Sequence, residues 1–485
     1  MKTSRPNILV VMTDHQRGDT VLPEHPARTP HLTDFAKQGL AFTNAFCPSP
    51  HCCPARATFF TGLYPSRHGV WNNICNDQRL SRGPRPGTRL WSEDLAAAGY
   101  TLAFSGKWHV SIDTSPKDHG WNELLATSKG GDFHGVSWDT YRKWASQPEP
   151  AERPEGHILR QGYGTARTYG TAPAEWEQTN QDRKATNIML DWLGSPDRRR
   201  EPWCAFLGLS GPHDPYVVPS KYLDMYRLDD VPLPPSYRDT LADKPNIYRR
   251  MRETRFGQLG EREVRDAIRH FWAYCTYLDE LFGEVLRALD ATGQADNTLV
   301  VYTADHADYC GDHGLFAKGI PCFRGAYHVP AIIRWPRGMK ARGRRSDAFV
   351  SLADFGPTFL DVAGVSSDAA FTGSSLYPHF SGASPEKWRD DIHTQSNGVE
   401  LYYSQRSVMT KEFKYVFNGF DFDELYDLRT DPHEMNNVAQ NPAYKNVLLD
   451  MCRRMWRFAL REQDAMINNY VTVALAPYGP MEAFR

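Results

Sequence analysis

Asn7-Ile8-Leu9-Val10-Val11-Met12-Thr13-Asp14-His15 carries the reading that decides the fold. Ile8 to Met12 is an unbroken apolar run between polar flanks. Such a run is far too short for a membrane span or the core of a signal peptide. It predicts a strand over residues 7–13, buried on both faces. Directly after it come Asp14 and His15, two side chains suited to chemistry.

The same arrangement recurs outward from this stretch. Helical periodicity over residues 31–39 ends in glycine. A helix at 91–98 precedes a strand at 100–105, and a helix at 183–193 precedes a strand at 203–210. A long helix at 262–291 precedes a β-branched strand at 297–304. A further strand at 331–335 is followed by a helix at 353–363. Strand–helix alternation of this kind predicts an α/β fold with a mostly parallel sheet covered on both faces. Sheets of that type place their chemistry at the carboxyl ends of strands. Asp14-His15, Lys107-Trp108-His109 and Asp305-His306 each follow a predicted strand, and His213 follows a fourth.

Residues 112–178 have weak periodicity with many Gly, Pro and aromatic residues, and read as long loops over the site. Residues 379–400 are polar and loop-like. Strands at 402–409 and 413–417 and a helix at 443–461 then indicate a smaller α+β subdomain. The predicted division is a catalytic α/β domain over 1–390 and the subdomain with an irregular tail over 391–485. The tail, 468–485, reads as a packed end or an arm on a neighbouring subunit of a homo-oligomer.

Bulk properties narrow the function. The 485 residues carry 56 basic and 58 acidic side chains, a formal net charge of −2 at pH 7. That balance excludes a typical nucleic-acid binder, and no membrane segment is evident. The basic runs Arg198 to Arg200 and Arg337 to Arg345 read as solvated loops. Nine scattered cysteines without zinc-type spacing fit reduced thiols, and a cytoplasmic location is the expectation.

The most specific stretch is Cys52-Cys53-Pro54-Ala55-Arg56, continuing to Thr61-Gly62. A lone cysteine is most often a buried thiol. Here the whole pattern resembles the activation motif of the formylglycine-dependent sulfatases, C-x-P-x-R followed by a short helix ending in T-G. The resemblance runs from about Pro6 to Val438. It implies an alkaline-phosphatase-like fold, conversion of Cys52 to an aldehyde by a formylglycine-generating enzyme, and hydrolysis of a sulfate ester. In that chemistry one hydroxyl of the hydrated aldehyde attacks sulfur and the alcohol departs. Deprotonation of the second hydroxyl then breaks the bond from the aldehyde carbon to the sulfated oxygen, so the anion leaves and the aldehyde returns.

By the same resemblance, Asp14, His15, Asp305 and His306, with the modified Cys52, hold one divalent metal ion. Two imidazoles soften an oxygen site, so Mn²⁺ and Zn²⁺ join Ca²⁺ as candidates. Arg56 steadies the nucleophile. Lys107 and His109 lie in a segment similar to the family's G-K-W-H, and His213 in one similar to P-H-x-P. Lys318 matches the family lysine beyond the second metal pair. His109 is expected to support the hydrated aldehyde. Lys107, His213 and Lys318 are expected to clamp sulfate or assist the leaving group. Asn73 and His328 are candidate substrate contacts. Asp312 and His313 share a loop with Lys318 and read equally well as an Asp–His pair stabilising that loop. Trp71, Trp108 and Trp121 are candidates for a pocket wall, although burial is the commoner fate of tryptophan.

Ala55, His306 and His328 depart from the usual sulfatase pattern and resemble the phosphonate monoester hydrolase branch. A phosphonate monoester or phosphodiester hydrolase with the same nucleophile is therefore the alternative. An inactive glycan-binding relative would have lost catalytic groups, and none is missing. A plain phosphatase acting through Cys53 lacks a base for its second step.

Overall fold

The computed structural model describes residues 5–76, 78–128, 138–147, 152–160, 164–199, 201–340, 342–383, 385–398, 401–468, 470 and 472–485. Its centre is an eight-stranded sheet. The strands are β1 (Asn7–Thr13), β2 (Leu40–Phe46), β3 (Thr101–Lys107), β4 (Asn122–Thr127), β5 (Trp203–Gly208), β6 (Thr298–Ala304), β7 (Ala331–Arg334) and β8 (Arg344–Ser351). They lie in the order β8-β2-β7-β6-β1-β5-β3-β4. Within this sheet β7 runs antiparallel to β6 and β2, and the other pairings are parallel. Val10 of β1 aligns with Val301 of β6 and Phe206 of β5.

Every residue of β1, β5 and β6 is buried. A parallel strand between two helical layers has no solvent face, which is why these strands read as continuous apolar runs. On the helical side, α1 (Pro30–Gln38), α4 (Gln181–Gly194) and α5 (Glu261–Ala291) pack together, while α2 (Cys52–Thr61), α3 (Trp91–Ala97) and α6 (Phe355–Ala363) form a second group.

Helix α2 is buried at all ten positions. Phe60 stacks on Trp91, with ring centroids 5.9 Å apart, and meets Trp108 at 5.1 Å and Phe206 at 5.0 Å. This aromatic cluster fixes α2 against the sheet. It also accounts for Trp108 and Trp121, which are core residues rather than a pocket wall. Gly62 closes the helix with φ +67°, a left-handed conformation that glycine adopts without a Cβ penalty.

The expected strand at 7–13 and the long helix at 261–291 appear with nearly the expected limits. β2 was not expected. Neither was β4, a half-buried edge strand inside the region read as loops. Parts of that region (129–137, 148–151 and 161–163) lie outside the described residues. β8 begins within a run read as a solvated basic loop, because its outer end is polar and partly exposed.

After β8 and α6 a second sheet forms from β9 (Ile392–Ser396), β10 (Gln405–Met409), β11 (Phe413–Asn418) and β12 (Glu424–Asp427), all antiparallel and in chain order. β9 lies where a loop was expected. Helix α7 (Lys445–Arg461) covers this sheet through Met451, Cys452, Met455 and Trp456. The tail folds back on α7: Trp456 Nε1 donates to Tyr478 O at 2.7 Å, and Arg453 pairs with Glu482 at 2.8 Å.

One buried polar junction ties this subdomain to the α2 region. Arg406 grips the carboxylate of Asp464 through Nε at 2.6 Å and Nη2 at 3.0 Å. Gln395 Nε2 donates to the same carboxylate at 3.0 Å and to Ser66 Oγ at 3.1 Å. Both ionic side chains are almost wholly enclosed. Removing one partner of such a pair leaves a buried charge uncompensated. Asp464→Asn should destabilise the chain by about 3–5 kcal/mol, seen as lower urea and thermal midpoints. Unchanged midpoints would show the junction to be dispensable.

Candidate active site

The predicted chemistry-bearing residues converge where the parallel strands end. Asp305 N donates to Thr13 O at 3.0 Å, and Asp14 N donates to Gly211 O at 3.0 Å. The ends of β6 and β1 and the loop after β5 are thereby locked side by side. β3 joins them because Gly106, at φ +114°, lets its backbone press on β5. A Cβ there would collide with Gly208 O. Lys107 thus arrives next to Asp14, and its Nζ donates to Asp14 Oδ2. Helix α2 delivers Cys52 from the other side. Its Sγ lies 3.2 Å from His306 Nε2 and 3.8 Å from Asp14 Oδ1.

Charge balance governs this cluster. Arg56 is wholly buried; its Nε donates to Asp305 Oδ2 at 2.7 Å and its Nη1 to Lys107 O at 2.8 Å. Its Nη2 stands 3.9 Å from Asp14 Oδ2, without a hydrogen-bond acceptor among the described residues. Burial and Cys52 push the Asp14 carboxyl upward, but Lys107, His213 and His306 together hold it well below its usual range. Burial likewise opposes ionisation of Cys52, yet Lys107, Lys318 and His306 hold its thiol far below the ordinary value. Burial and the neighbouring Asp14 raise Asp305, against Arg56.

The imidazoles of His306 and His15 are each fixed through Nδ1. His306 Nδ1 meets Ala307 O at 3.0 Å. A carbonyl only accepts, so Nδ1 carries the proton and Nε2 offers its lone pair, 3.4 Å from Asp14 Oδ1. His15 Nδ1 meets Asp308 Oδ2 at 3.0 Å, and its Nε2 lies 3.8 Å from Asp14 Oδ1. Asp308 is itself held by Tyr216 Oη at 2.7 Å and Cys310 N at 2.8 Å, and burial pushes its carboxyl up to about 7. Two overlapping donor groups result: Asp14, Cys52, Asp305 and His306; and Asp14, His15, Cys52 and His213. Buried carboxylates with oriented imidazoles form a mixed oxygen–nitrogen donor set, which fits one divalent ion.

Lys318 and His213 form the partly exposed rim. Lys318 Nζ donates to His15 Nε2 and lies 3.3 Å from His213 Nε2. His213 Nδ1 meets Asp214 O at 2.7 Å and Asp214 Oδ1 at 3.2 Å. Its pKa is raised: burial and Lys318 oppose protonation, and Asp214 and Cys52 outweigh them. His109 Nε2 lies 2.7 Å from Cys75 Sγ.

Other expected residues sit elsewhere. Asn73 Oδ1 accepts from Cys53 N at 3.1 Å, at the first turn of α2. His328 Nε2 meets Thr43 O at 2.9 Å, in a separate 860 Å³ cavity shared with Arg17, His25, Trp272 and Arg324. Asp312 pairs with Arg17 at 2.8 Å, and His313 with Asp239 at 2.7 Å while stacking on Phe323. Both therefore stabilise their loop. Trp71 is half-buried beneath Arg406, whose guanidinium stands 5.6 Å from its ring.

Sequence reasoning passed over Asp308, Asp214 and Tyr216, although Asp308 stands three residues after Asp305. It also missed His51, buried directly before Cys52 with no hydrogen-bond partner on either ring nitrogen among the described residues.

A large, mostly parallel sheet carrying a buried cysteine, two carboxylates and a ring of cations at its strand ends defines a hydrolase of the alkaline phosphatase superfamily. A family model described as "Sulfatase" matches residues 6–365, and one described as "N-sulphoglucosamine sulphohydrolase, C-terminal" matches residues 311–461. The chain belongs to the sulfatase family. It is 32% identical to the choline-sulfatase of Rhizobium meliloti (strain 1021) over 456 residues, which covers 91% of this chain and 84% of that protein. It is 27% identical to a multifunctional alkaline phosphatase superfamily protein of Trinickia caryophylli, covering 96% and 98% of the two chains. Among solved structures, the phosphonate monoester hydrolase of Agrobacterium radiobacter superposes with a TM-score of 0.77 at 25% identity, over 95% of this chain and 96% of that one. Among the described residues, no helix is long and apolar enough to cross a membrane.

If His306 is a ligand, replacing it by an oxygen donor should harden the site. His306→Asn, reconstituted against equal Ca²⁺, Mn²⁺ and Zn²⁺, should gain Ca²⁺ at the expense of Zn²⁺ by elemental analysis. An unchanged ratio would remove His306 from the metal shell.

Proposed function

We propose that this chain hydrolyses sulfate esters to inorganic sulfate and an alcohol, with formylglycine made from Cys52 as nucleophile. The observation that carries this reading is the setting of Cys52. Its sulfur is buried between His306 Nε2 and Asp14, the carboxylate that Lys107 holds. A thiol inside a motif for aldehyde formation, enclosed by cations and carboxylates, has no evident structural task.

Asp14, His15, Asp305 and His306 would hold the divalent ion, with the oxygen of residue 52 completing its shell. When bound, the ion supplies positive charge against the ester oxygens. Formylglycine supplies two hydroxyls on one carbon, one for attack on sulfur and one for release of the product.

The remaining side chains divide the work by position. Arg56, fixed by Asp305, keeps one amino group free for a nucleophilic oxygen on residue 52. Lys107 and Lys318 flank that oxygen and spread positive charge over the three terminal oxygens of the ester. His15 Nε2 faces Lys318, so its entry into the metal shell is coupled to the lysine turning toward substrate. His213, on the open side with a raised pKa, is placed to protonate the departing alcohol oxygen. His109 holds the hydrated aldehyde, and Asn73 lies one residue from it. His328 lines another cavity, which weakens its case as a substrate contact.

Two observations favour a second reading. His306 and the likeness to a phosphonate monoester hydrolase at 25% identity fit hydrolysis of phosphonate monoesters or phosphodiesters by the same groups.

Coexpression with a formylglycine-generating enzyme should lower the mass of the Cys52 peptide by about 18 Da, since a carbonyl oxygen replaces the thiol sulfur and two hydrogens leave. The matured chain should cleave aryl sulfate and choline sulfate with higher kcat/KM than aryl phosphonate or phosphate diester. The reverse order would establish the second reading. Cys52→Ala should lower kcat by about three orders of magnitude or more while preserving the circular dichroism spectrum. Substantial remaining turnover would remove the covalent mechanism.

A further inference from the structure

Beside the catalytic group lies a second cluster that the reaction above does not use in full. Cys53 follows Cys52 in α2 and is buried; its Sγ accepts from Ile74 N at 3.4 Å. Cys75 sits in a turn, is partly exposed, and has its Sγ 2.7 Å from His109 Nε2. The three donor atoms of Cys53, Cys75 and His109 all lie within 4.8 Å of one another. The catalytic group offers carboxylate oxygens; this one offers two sulfurs and a ring nitrogen. Thiolates with imidazole select Zn²⁺ and thiophilic ions over Ca²⁺ or Mg²⁺.

We propose that Cys53, Cys75 and His109 form a second metal site, for Zn²⁺ or a thiophilic relative such as Cd²⁺, and that filling it restrains catalysis. Binding forms two metal–sulfur bonds and one metal–nitrogen bond. Each thiol gives its proton to solvent, His109 Nε2 donates its lone pair, and water fills the fourth position of a tetrahedral shell. Such a shell sets its donors about 3.5 Å apart, so the close Cys75–His109 contact must open. The turn carrying Cys75 can supply that movement. His109 is shared, because the proposed reaction also uses its imidazole at residue 52, the neighbour of Cys53 in α2. An ion that fixes His109 on the Cys75 side withdraws it from residue 52. The inhibitory half of this inference rests on the proposed function; metal binding itself does not.

The test separates the two. In reduced Cys52→Ala protein, which lacks the catalytic thiol, Cd²⁺ should raise the ultraviolet thiolate-to-metal absorption and saturate at one ion per chain. Adding Cys75→Ser, or Cys53→Ala as a second probe, should abolish the absorption. No absorption, absorption indifferent to both substitutions, or recovery of Cys53 and Cys75 joined as a disulfide in the reduced sample would overturn the site. In matured protein already loaded with its catalytic ion, Zn²⁺ should lower turnover at least tenfold. Cys75→Ser, compared with its own metal-free rate, should need at least ten times more Zn²⁺ for the same loss. Equal sensitivity would overturn the inhibition. A chain inactive on every ester would instead count against the proposed function, with the Cd²⁺ absorption still deciding the site.

Discussion

The pairing of Arg56 with Asp305 is the constraint on which the rest depends. Both side chains are wholly removed from water. Neither charge is tolerable there alone, because desolvation of an unpaired ion costs several kcal/mol. Together they draw in the next pair, since Arg56 also holds the carbonyl of Lys107, and Lys107 holds Asp14. The result is a buried lattice of alternating charge. Cys52 lies in the middle of it. The position of Cys52 is therefore set by electrostatics around it as much as by the helix that carries it.

Most of this was legible in the sequence, for a definite reason. Buried parallel strands must be apolar along their whole length, so 7–13 and 298–304 announce themselves, and the polar residues after them mark the chemical end of the sheet. β4 and β8 lie at the two edges, where one side meets solvent, and their mixed composition resembles loop. β9 reads as loop because its polar residues pair inside the molecule: Gln395 with Ser66 and Asp464, Thr394 with Ser407. No local pattern reveals partners that lie tens or hundreds of residues away.

The candidate site divides along the same line. Residues carried by contiguous motifs came together around Asp14. Asp308, Tyr216 and Asp214 act by orienting imidazoles, and such partners have no spacing rule of their own. His328 shows the converse. It sits near the right strand in sequence, yet its ring is turned to Thr43 and a different cavity. Proximity to a strand end was not enough without the direction of the side chain.

The antiparallel direction of β7 has a further consequence. The chain enters this strand beside the chemical end of the sheet and leaves it at the opposite end, where Arg334 lies next to Val300 and Arg344 begins β8 opposite Leu40. The connection between them therefore opens on the face remote from Cys52. A fluorophore, tether or affinity handle grafted into that connection would be shielded from the catalytic machinery by the full length of the sheet. The molecule thus provides its own point of attachment for immobilisation, at the end of the sheet opposite Cys52.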